Sequence, residues 1–389
     1  MTINELAKKN KDYVISLRRE FHKNPEASFK EFNTSKRIKE ELDKMGIEYV
    51  PCASTGIVAT IKGDYPGKIV ALRGDIDALS VQELNNIDYK SEVSGMMHAC
   101  GHDGHISMLL GAAKILSSIK SKIHGTIKLF FQPAEEIGEG AKAMIKEGAM
   151  DNVDSIFGIH LWSNIDVGKI SVESGPRMAS ADWFNIKITG KGGHGSAPHE
   201  CVDALVIASS IVMNLQNIVS RQVNPLDTLV LTIGMLNSGS RFNVIAENAY
   251  MEGTTRCFNL DLRKKLPNMM ENIINSIANS YGAKASLEYN FLLPPTINDE
   301  KCSIIAEHAS ADIVGKDNVI KFEKITGSED FSFYLEKAPG ALAFVGCRNK
   351  EKAACYSHHS GNFNIDEDAL EIGTKLYVKY ALDYLNSYK

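Results

Sequence analysis

Residues 97–105 read Met97-His98-Ala99-Cys100-Gly101-His102-Asp103-Gly104-His105. Nowhere else in the chain do a thiol, imidazoles and a carboxylate stand so close together. An apolar, helix-favouring run follows at residues 106–116, so we expect a loop that leads into a helix N-terminus, where the dipole favours a thiolate. Cys100 and His102 are two residues apart and can turn towards one ion. The alternative is a set of polar residues that caps a buried helix, because Cys and His are also common in cores.

Short apolar runs elsewhere in the chain are followed by acids or histidines. They are residues 69–72 before Arg73-Gly74-Asp75-Ile76-Asp77, 126–131 before Gln132-Pro133-Ala134-Glu135-Glu136, 155–159 before His160, and 341–346 ahead of His358-His359. Such runs, separated by helical stretches, indicate a buried, mostly parallel sheet. Ligands of these sheets bind beyond the carboxyl ends of the strands. We therefore expect the strand ends and the Cys-Gly-His loop to form one site.

The order of elements predicts a two-domain α/β chain. Residues 5–23 and 34–45 have helical periodicity, and His22 near the first helix end is expected to be solvated or to compensate the helix dipole. Residues 179–292 follow the order β-α-β-β-α-β of the ferredoxin-like unit. The sequence thus predicts a catalytic domain over 1–178 and 293–389, with an inserted domain over 179–292.

Bulk composition limits the class of protein. The 389 residues exceed the size of about 250–300 at which single cores stop growing. A net charge of −5 and the lack of a basic block argue against nucleic acid as a partner. The N-terminus lacks the apolar stretch of a secretory signal, and we expect no apolar run long enough to span a membrane. Seven scattered cysteines favour a reducing compartment, so we expect a cytoplasmic enzyme.

The dispersed donors are those of a divalent metal site. The candidate ligands are Cys100, His102, Glu136, His160 and His359. Five ligands exceed the need of one tetrahedral catalytic ion and suit two ions about 3.5–4 Å apart. A structural zinc site is the alternative, but it usually takes Cys and His at local spacings. A thiolate ligand favours zinc, but manganese, cobalt and nickel are also compatible with a mixed Cys/His/Glu site.

The acids around these ligands have separate predicted roles. In extended backbone the side chains of Glu135 and Glu136 diverge, so Glu136 can bind metal while Glu135 takes a proton from water. The alternative for this pair is a solvated acidic turn. Asp75 and Asp77, two apart on an extended segment, are expected to orient histidine ligands from behind.

Several motifs together resemble the M20 metallopeptidase family. They are Arg73-Gly74-Asp75-Ile76-Asp77-Ala78-Leu79, residues 98–105, Gln132-Pro133-Ala134-Glu135-Glu136, Gly158-Ile159-His160, residues 192–199 and residues 327–331. The resemblance is nearest to the amidohydrolase branch, with hippurate hydrolases, N-acyl-amino-acid deacylases and auxin-conjugate hydrolases. It implies two divalent ions on the five ligands named above, with Glu135 as general base and acid. It also implies that the inserted domain is a lid and a homodimerisation module.

The same resemblance assigns residues of the inserted domain. His194 would polarise the scissile carbonyl, and Asn243 and Arg256 would bind the substrate carboxylate. One departure concerns the last ligand: relatives commonly have His-Ser/Asn-Pro, whereas this chain reads His359-Ser360-Gly361. His358 therefore stays open as an alternative to His359.

The resulting hypothesis is a metal-dependent hydrolase of the amide bond in N-acyl-amino acids. A dipeptidase or carboxypeptidase of the same family is the second hypothesis, and a non-catalytic binding protein on this scaffold is the third. The expected partner is a small-molecule N-acyl-amino acid, with no nucleic acid and no membrane. The acyl group stays open.

Overall fold

A computed structural model describes residues 1–388, and within them the chain forms nine α-helices and fifteen β-strands. In chain order the helices are α1 (Ile3–Lys23), α2 (Phe32–Met45), α3 (His102–Ser118), α4 (Gly140–Lys146), α5 (Ala204–Asn217), α6 (Leu260–Ser280), α7 (Glu300–Val314), α8 (Ser332–Leu335) and α9 (Asp368–Asn386). The strands are β1 (Glu48–Cys52), β2 (Gly56–Lys62), β3 (Tyr65–Asp75), β4 (His124–Gln132), β5 (Ser155–Asp166), β6 (Ile170–Ser171), β7 (Gly175–Met178), β8 (Ala181–Thr189), β9 (Gly193–His194), β10 (Leu229–Ser238), β11 (Val244–Ile245), β12 (Asn248–Cys257), β13 (Lys284–Leu293), β14 (Thr296–Asn298) and β15 (Gly340–Arg348).

The start of α1 and the end of α2 have clear capping chemistry. The Thr2 hydroxyl accepts the N–H of Glu5 at 3.2 Å, and the Glu5 carboxylate accepts the N–H of Thr2 at 2.8 Å, which forms a capping box. Helix α2 ends at Gly46, whose φ of 64° suits a glycine C-cap. The predicted helix over 34–45 therefore exists and begins two residues earlier, at Phe32.

The apolar runs become strands of a seven-stranded sheet in the order β1-β2-β4-β3-β5-β15-β6. Its central strands β4, β3, β5 and β15 are parallel, and the strands at both edges are antiparallel to their neighbours. Leu72 of β3 stands beside Leu129 of β4 and Phe157 of β5, and all three are completely buried. The predicted α/β class with its mostly parallel central sheet is confirmed.

Helix α3 runs through the apolar core beside this sheet. The loop before it turns at Gly101, whose φ of 90° favours glycine. A Cβ at Gly104 would lie 2.5 Å from Leu161 Cδ1, so the first turn of the helix packs closely against β5. The stretch that begins at Met97 therefore places its thiol and imidazoles at a buried helix N-terminus, as its sequence predicts.

The chain divides into two compact units. The first comprises Met1–Gly175, Ile297–Glu323 and Asp330–Lys389, of which the structure describes residues up to 388; the second comprises Pro176–Thr296 and Lys324–Glu329. In the second unit, β8, α5, β10, β12, α6 and β13 follow the predicted β-α-β-β-α-β order, and the sheet order is β10-β12-β8-β13 with all pairs antiparallel. The predicted inserted range 179–292 lies inside the second unit.

One helical segment of the described chain, Ala204–Gln222, is long and apolar enough to cross a membrane by length and composition alone. Its first part, α5, buries Ile207, Ile211 and Leu215 in the apolar core of the second unit. The prediction that no apolar run reaches spanning length is therefore wrong for this segment. The segment has one charged residue, Arg221, and its other polar positions are Ser, Asn or Gln.

Leu109 on α3 provides a test of this core. It is completely buried, and its replacement by alanine removes apolar contacts that the neighbours cannot fully restore. We expect L109A to lower the free energy of unfolding by about 2–5 kcal/mol in urea titrations. The control E40A, at an exposed position of α2, should change it by less than about 0.5 kcal/mol. An L109A protein as stable as the parent would contradict the packing described for α3.

Candidate metal centre

The carboxyl ends of two parallel strands bring the first acids together. Asp75 ends β3 in register with Gln132, the last residue of β4. Arg73 donates to Asp75 Oδ2 at 2.6 Å, to Gln132 Oε1 at 2.8 Å and to Asp330 Oδ1 at 2.9 Å. Burial alone would raise the pKa of Asp75, but Arg73 and His102 hold it well below its usual range. Asp75 is therefore an anion at neutral pH.

Asp77 fixes the backbone of the two adjacent glutamates. Its Oδ1 accepts the N–H of Glu135 and its Oδ2 accepts the N–H of Glu136, both at 3.1 Å. Ser28 Oγ donates to the same Oδ2 at 2.7 Å. The turn into this pair has Ala134 at φ 54°, a left-handed conformation that costs a non-glycine residue about 1–2 kcal/mol. The carboxylate of Asp77 thus holds the Glu135–Glu136 peptide in one position.

His102 presents a buried nitrogen to these acids. Its Nδ1 donates to the Asp77 carbonyl at 2.9 Å. Its Nε2 has no hydrogen-bond partner within residues 1–388 and lies 3.6 Å from Asp75 Oδ2 and 3.8 Å from Glu136 Oε1. Burial lowers the pKa of His102, but Asp75, Asp77 and Glu136 outweigh it and raise the pKa to about 10. Burial and the neighbouring acids likewise raise the pKa of Glu136 to about 7. The raised pKa of His102 reflects the negative charge around it, whereas the raised pKa of Glu136 reflects mainly its burial.

A second group of donors forms around the peptide of Leu161. His160 Nδ1 donates to the Leu161 carbonyl at 2.7 Å, and His160 Nε2 lies 3.5 Å from Cys100 Sγ. The Leu161 N–H donates to His105 Nε2 at 2.9 Å, and the Leu161 carbonyl also accepts His358 Nε2 at 2.9 Å. Burial, with His105 and His358 nearby, lowers the pKa of His160 well below its usual value. His160 is therefore neutral, with the lone pair of Nε2 directed at the thiol.

The consecutive histidines 358 and 359 have different environments. His358 Nε2 donates to the Leu161 carbonyl, so its Nδ1 accepts the hydroxyl of Ser163 at 3.0 Å. The side chain of His359 is 55% exposed, and its Nε2 lies 3.6 Å from Glu136 Oε2. Both ring nitrogens of His358 are thus engaged within the protein, whereas His359 directs Nε2 at a carboxylate of the site.

The structure brings all five predicted ligands together in the first unit. Groups whose donor atoms lie within 4.8 Å of one another are Cys100 with Glu136 and His359, His102 with Glu135 and Glu136, and Cys100 with His160 and His358. Thiolate, imidazole and carboxylate are ligands that ions of the zinc type take. His102 Nε2 and Glu136 Oε1 are buried and have no partner in the described chain, as expected of atoms that bind an ion. The residues therefore fit a metal centre.

The other predicted site residues lie in the second unit. His194 is on β9, which pairs with β11, and Asn243 directly precedes β11. The Asn243 carbonyl accepts the N–H of Gly195 at 2.9 Å, and Asn243 Oδ1 is buried without a partner among the described residues. Arg256 on β12 donates to the Thr255 carbonyl at 3.0 Å, and burial lowers its pKa. His194 and Asn243 are therefore neighbours within this unit.

His105 belongs to the site although the sequence analysis did not select it. It donates Nδ1 to Asp75 Oδ1 at 2.6 Å, while its Nε2 accepts the Leu161 N–H. The signal was present in the sequence, since His105 follows His102 by three residues and such pairs share one helix face. Asp75 thus orients His105, and only Asp77 orients His102 through a direct hydrogen bond.

The prediction that His22 is solvated or compensates the helix dipole is wrong. The side chain is completely buried, with Nδ1 2.8 Å from Asp103 Oδ2 and Nε2 3.2 Å from Glu83 Oε1. Arg18, one turn earlier on α1, donates to the same Asp103 oxygen at 2.8 Å. Burial and Arg18 lower the pKa of His22, but the two carboxylates raise it above its usual value. The pair ties α1 to the residue that follows His102.

The chain has an α/β fold with thiol, imidazole and carboxylate donors clustered at its strand ends. It therefore belongs to the class of metal-dependent hydrolases. Residues 71–383 match the sequence profile of Peptidase family M20/M25/M40, and the chain belongs to this family. The resemblance predicted from the motifs is confirmed.

Relatives of two kinds cover nearly the whole chain. Thermostable carboxypeptidase 2 of Saccharolobus solfataricus is 41% identical over 384 residues, 97% of each chain. IAA-amino acid hydrolase ILR1-like 4 of Arabidopsis thaliana is 40% identical over 387 residues, 98% of this chain and 88% of the relative. The crystal structure of the Bacillus subtilis YXEP protein, a dinuclear metal binding peptidase from the M20 family, is 34% identical with a TM-score of 0.86, over 97% of this chain and 99% of that one.

The raised pKa of His102 predicts a proton-coupled metal affinity. At neutral pH the metal-free imidazole carries a proton that a metal must displace, and this proton becomes easier to remove as pH rises. We expect the apparent affinity for Zn²⁺ to increase at least about tenfold per pH unit between pH 6.5 and 8.5. Calorimetry in buffers of different ionisation enthalpy would count the released protons. Binding that is independent of pH, with no proton release, would contradict the charge state described.

Proposed function

We propose that this chain hydrolyses the amide bond of N-acyl-amino acids to a carboxylic acid and a free amino acid. The observation that carries the proposal is the Glu135–Glu136 pair, whose two N–H groups are held by one carboxylate beside a mixed donor set. One glutamate can bind metal there while its neighbour handles a proton. Family membership supports the hydrolytic class, and the named relatives include an amino acid hydrolase.

The proposed ligands of two divalent ions, zinc or manganese in the first place and cobalt or nickel next, are Cys100, His102, Glu136, His160 and His359. His359 is preferred to His358 because both nitrogens of His358 already have partners in the protein. Cys100 and Glu136 each belong to two of the donor groups, so they can connect the two halves of the site. Asp75 and Asp77 support it through His105 and His102.

The proposed mechanism gives each side chain one task. Bound divalent ions would acidify water and polarise a carbonyl. Glu135 accepts the proton of the attacking water and later delivers it to the leaving amine, which requires a carboxylate held in place during both steps. Asp77 provides that constraint through the N–H of Glu135.

The second unit is proposed to contribute substrate contacts. His194 donates a hydrogen bond to the scissile carbonyl oxygen, and Asn243 and Arg256 bind the substrate carboxylate. The half-buried guanidinium of Arg256, a donor that suits a carboxylate, supports the carboxylate-binding role. We also propose that this unit forms the lid and the homodimer contact, and that the enzyme works in the cytoplasm.

A substrate panel tests the reaction. We expect N-acetyl- and N-benzoyl-amino acids to be cleaved faster than dipeptides, with activity lost on chelation and regained on return of Zn²⁺ or Mn²⁺. Amino acid release is the measurement. Preference for dipeptides or for C-terminal residues of longer peptides would favour the carboxypeptidase alternative. The similarity to the Saccharolobus carboxypeptidase is the reason to consider this alternative. No cleavage of any member by metal-loaded protein would contradict the proposal.

Replacing the proposed general base separates catalysis from metal binding. We expect E135Q to keep the metal content of the parent while kcat falls about 10²–10⁴-fold, because the amide cannot accept the proton. Metal content is measured by elemental analysis and kcat on the best substrate of the panel. The control E139Q, at an exposed position of the same segment, should leave kcat unchanged. An E135Q enzyme with parental kcat would refute the assigned role.

A further inference from the structure

A short loop of the second unit, residues 191–202, is closed by backbone contacts. Lys191 and Val202 form an antiparallel bridge, with each N–H donating to the other carbonyl at 2.9 Å. The Gly195 N–H donates to the Asn243 carbonyl at 2.9 Å, and a Cβ at residue 195 would lie only 3.1 Å from the Asn243 backbone. The loop conformation is therefore set by contacts that do not involve the His194 ring.

Within this loop a tight turn directs one residue back at the imidazole. The Ala197 N–H donates to the His194 carbonyl at 2.8 Å, which closes a turn over residues 194–197. The Ser196 N–H then donates to His194 Nδ1 at 3.1 Å, and Ser196 Oγ lies 2.8 Å from the same nitrogen. Both hydrogen bonds of Nδ1 thus come from Ser196.

These contacts decide which ring nitrogen bears the proton. A peptide N–H can only donate, so Nδ1 must be the acceptor. A neutral imidazole that accepts at Nδ1 carries its hydrogen on Nε2. With Nδ1 in that state, the Ser196 hydroxyl also donates to it. His194 therefore has Nε2–H as its outward donor.

We propose that Ser196 is a positioning residue that fixes His194 as the Nε2–H tautomer. The inference rests on the proposed function, in which His194 donates to the scissile carbonyl oxygen. A fixed Nε2–H stabilises the negative charge that develops on that oxygen, and it needs no rearrangement during the reaction. The opposite tautomer would present a lone pair to the oxygen and repel it.

The tautomer is measured directly by NMR. Full-length, metal-loaded protein labelled with ¹⁵N-histidine is compared with H194A, so that the missing resonances identify His194. We expect its Nε2 to have the shift and coupling of a protonated nitrogen and its Nδ1 those of an acceptor. An Nδ1–H tautomer would overturn the proposal.

Kinetics then isolate the hydroxyl of Ser196. S196A keeps the peptide N–H but removes one of two hydrogen bonds to Nδ1, so we expect kcat to fall about 2–10-fold with little change in KM. S196T, which restores a hydroxyl, should recover most of kcat. The control S220A removes an exposed hydroxyl of the same unit, bonded to the Gln216 carbonyl, and should leave kcat unchanged. An S196A enzyme with parental kcat and tautomer would overturn the role of Ser196.

H194A also distinguishes this inference from the proposed function. Full kcat in H194A would refute the carbonyl role of His194 itself. Loss of activity in H194A together with parental kcat and tautomer in S196A would preserve that role and refute only the positioning by Ser196.

Discussion

Negative charge gathered at the strand ends is the constraint on which the rest of the site depends. Carboxylates removed from water are costly unless cations or N–H groups compensate them. Arg73 compensates Asp75, and two peptide N–H groups with a serine hydroxyl compensate Asp77. Glu136 retains an oxygen without a partner in the described chain. The negative charge that is not compensated by other groups raises the pKa of His102. The electrostatics that retain a proton on this imidazole would equally retain a divalent ion, so proton and metal compete for one position.

The second constraint is the point at which β3 stops pairing with β5. The ladder between them ends at Arg73 and Gly158, whereas β5 continues to Asp166. Beyond that point the backbone of β5 has N–H and C=O groups that must find other partners. At Leu161 both groups bind histidines: the N–H donates to one imidazole, and the carbonyl accepts hydrogen bonds from two others. The orientation of the imidazoles is therefore set by sheet geometry, which a change of side chain at residue 161 would not remove.

These two constraints explain what the sequence could and could not predict. Parallel strands end at one edge, so acids and histidines after apolar runs could be assigned to one site from spacing alone. The buried position of His22 could not be predicted from the sequence, because its carboxylate partner Asp103 lies 81 residues further along the chain. The role of the Leu161 peptide was equally hidden, since a backbone group has no sequence signal. The bounds of β3 also differ from those of its apolar run. The strand begins earlier, at Tyr65, because its backbone hydrogen bonds to β4 extend beyond the buried residues.

The departure from the family pattern after His359 has a physical cause in the fold. Relatives commonly have proline two residues after the ligand, and this chain has Gly361. A Cβ at Gly361 would lie 2.5 Å from the carbonyl oxygen of Gln82, and the Gly361 carbonyl accepts the N–H of Leu84 at 2.7 Å. The segment around Gln82 therefore passes too close for a side chain. His359 is held independently, by its own N–H on the Ala99 carbonyl at 2.8 Å and at a φ of 64°. Because that anchor lies one residue before Cys100, the position of His359 is tied to the thiol and does not depend on the missing proline.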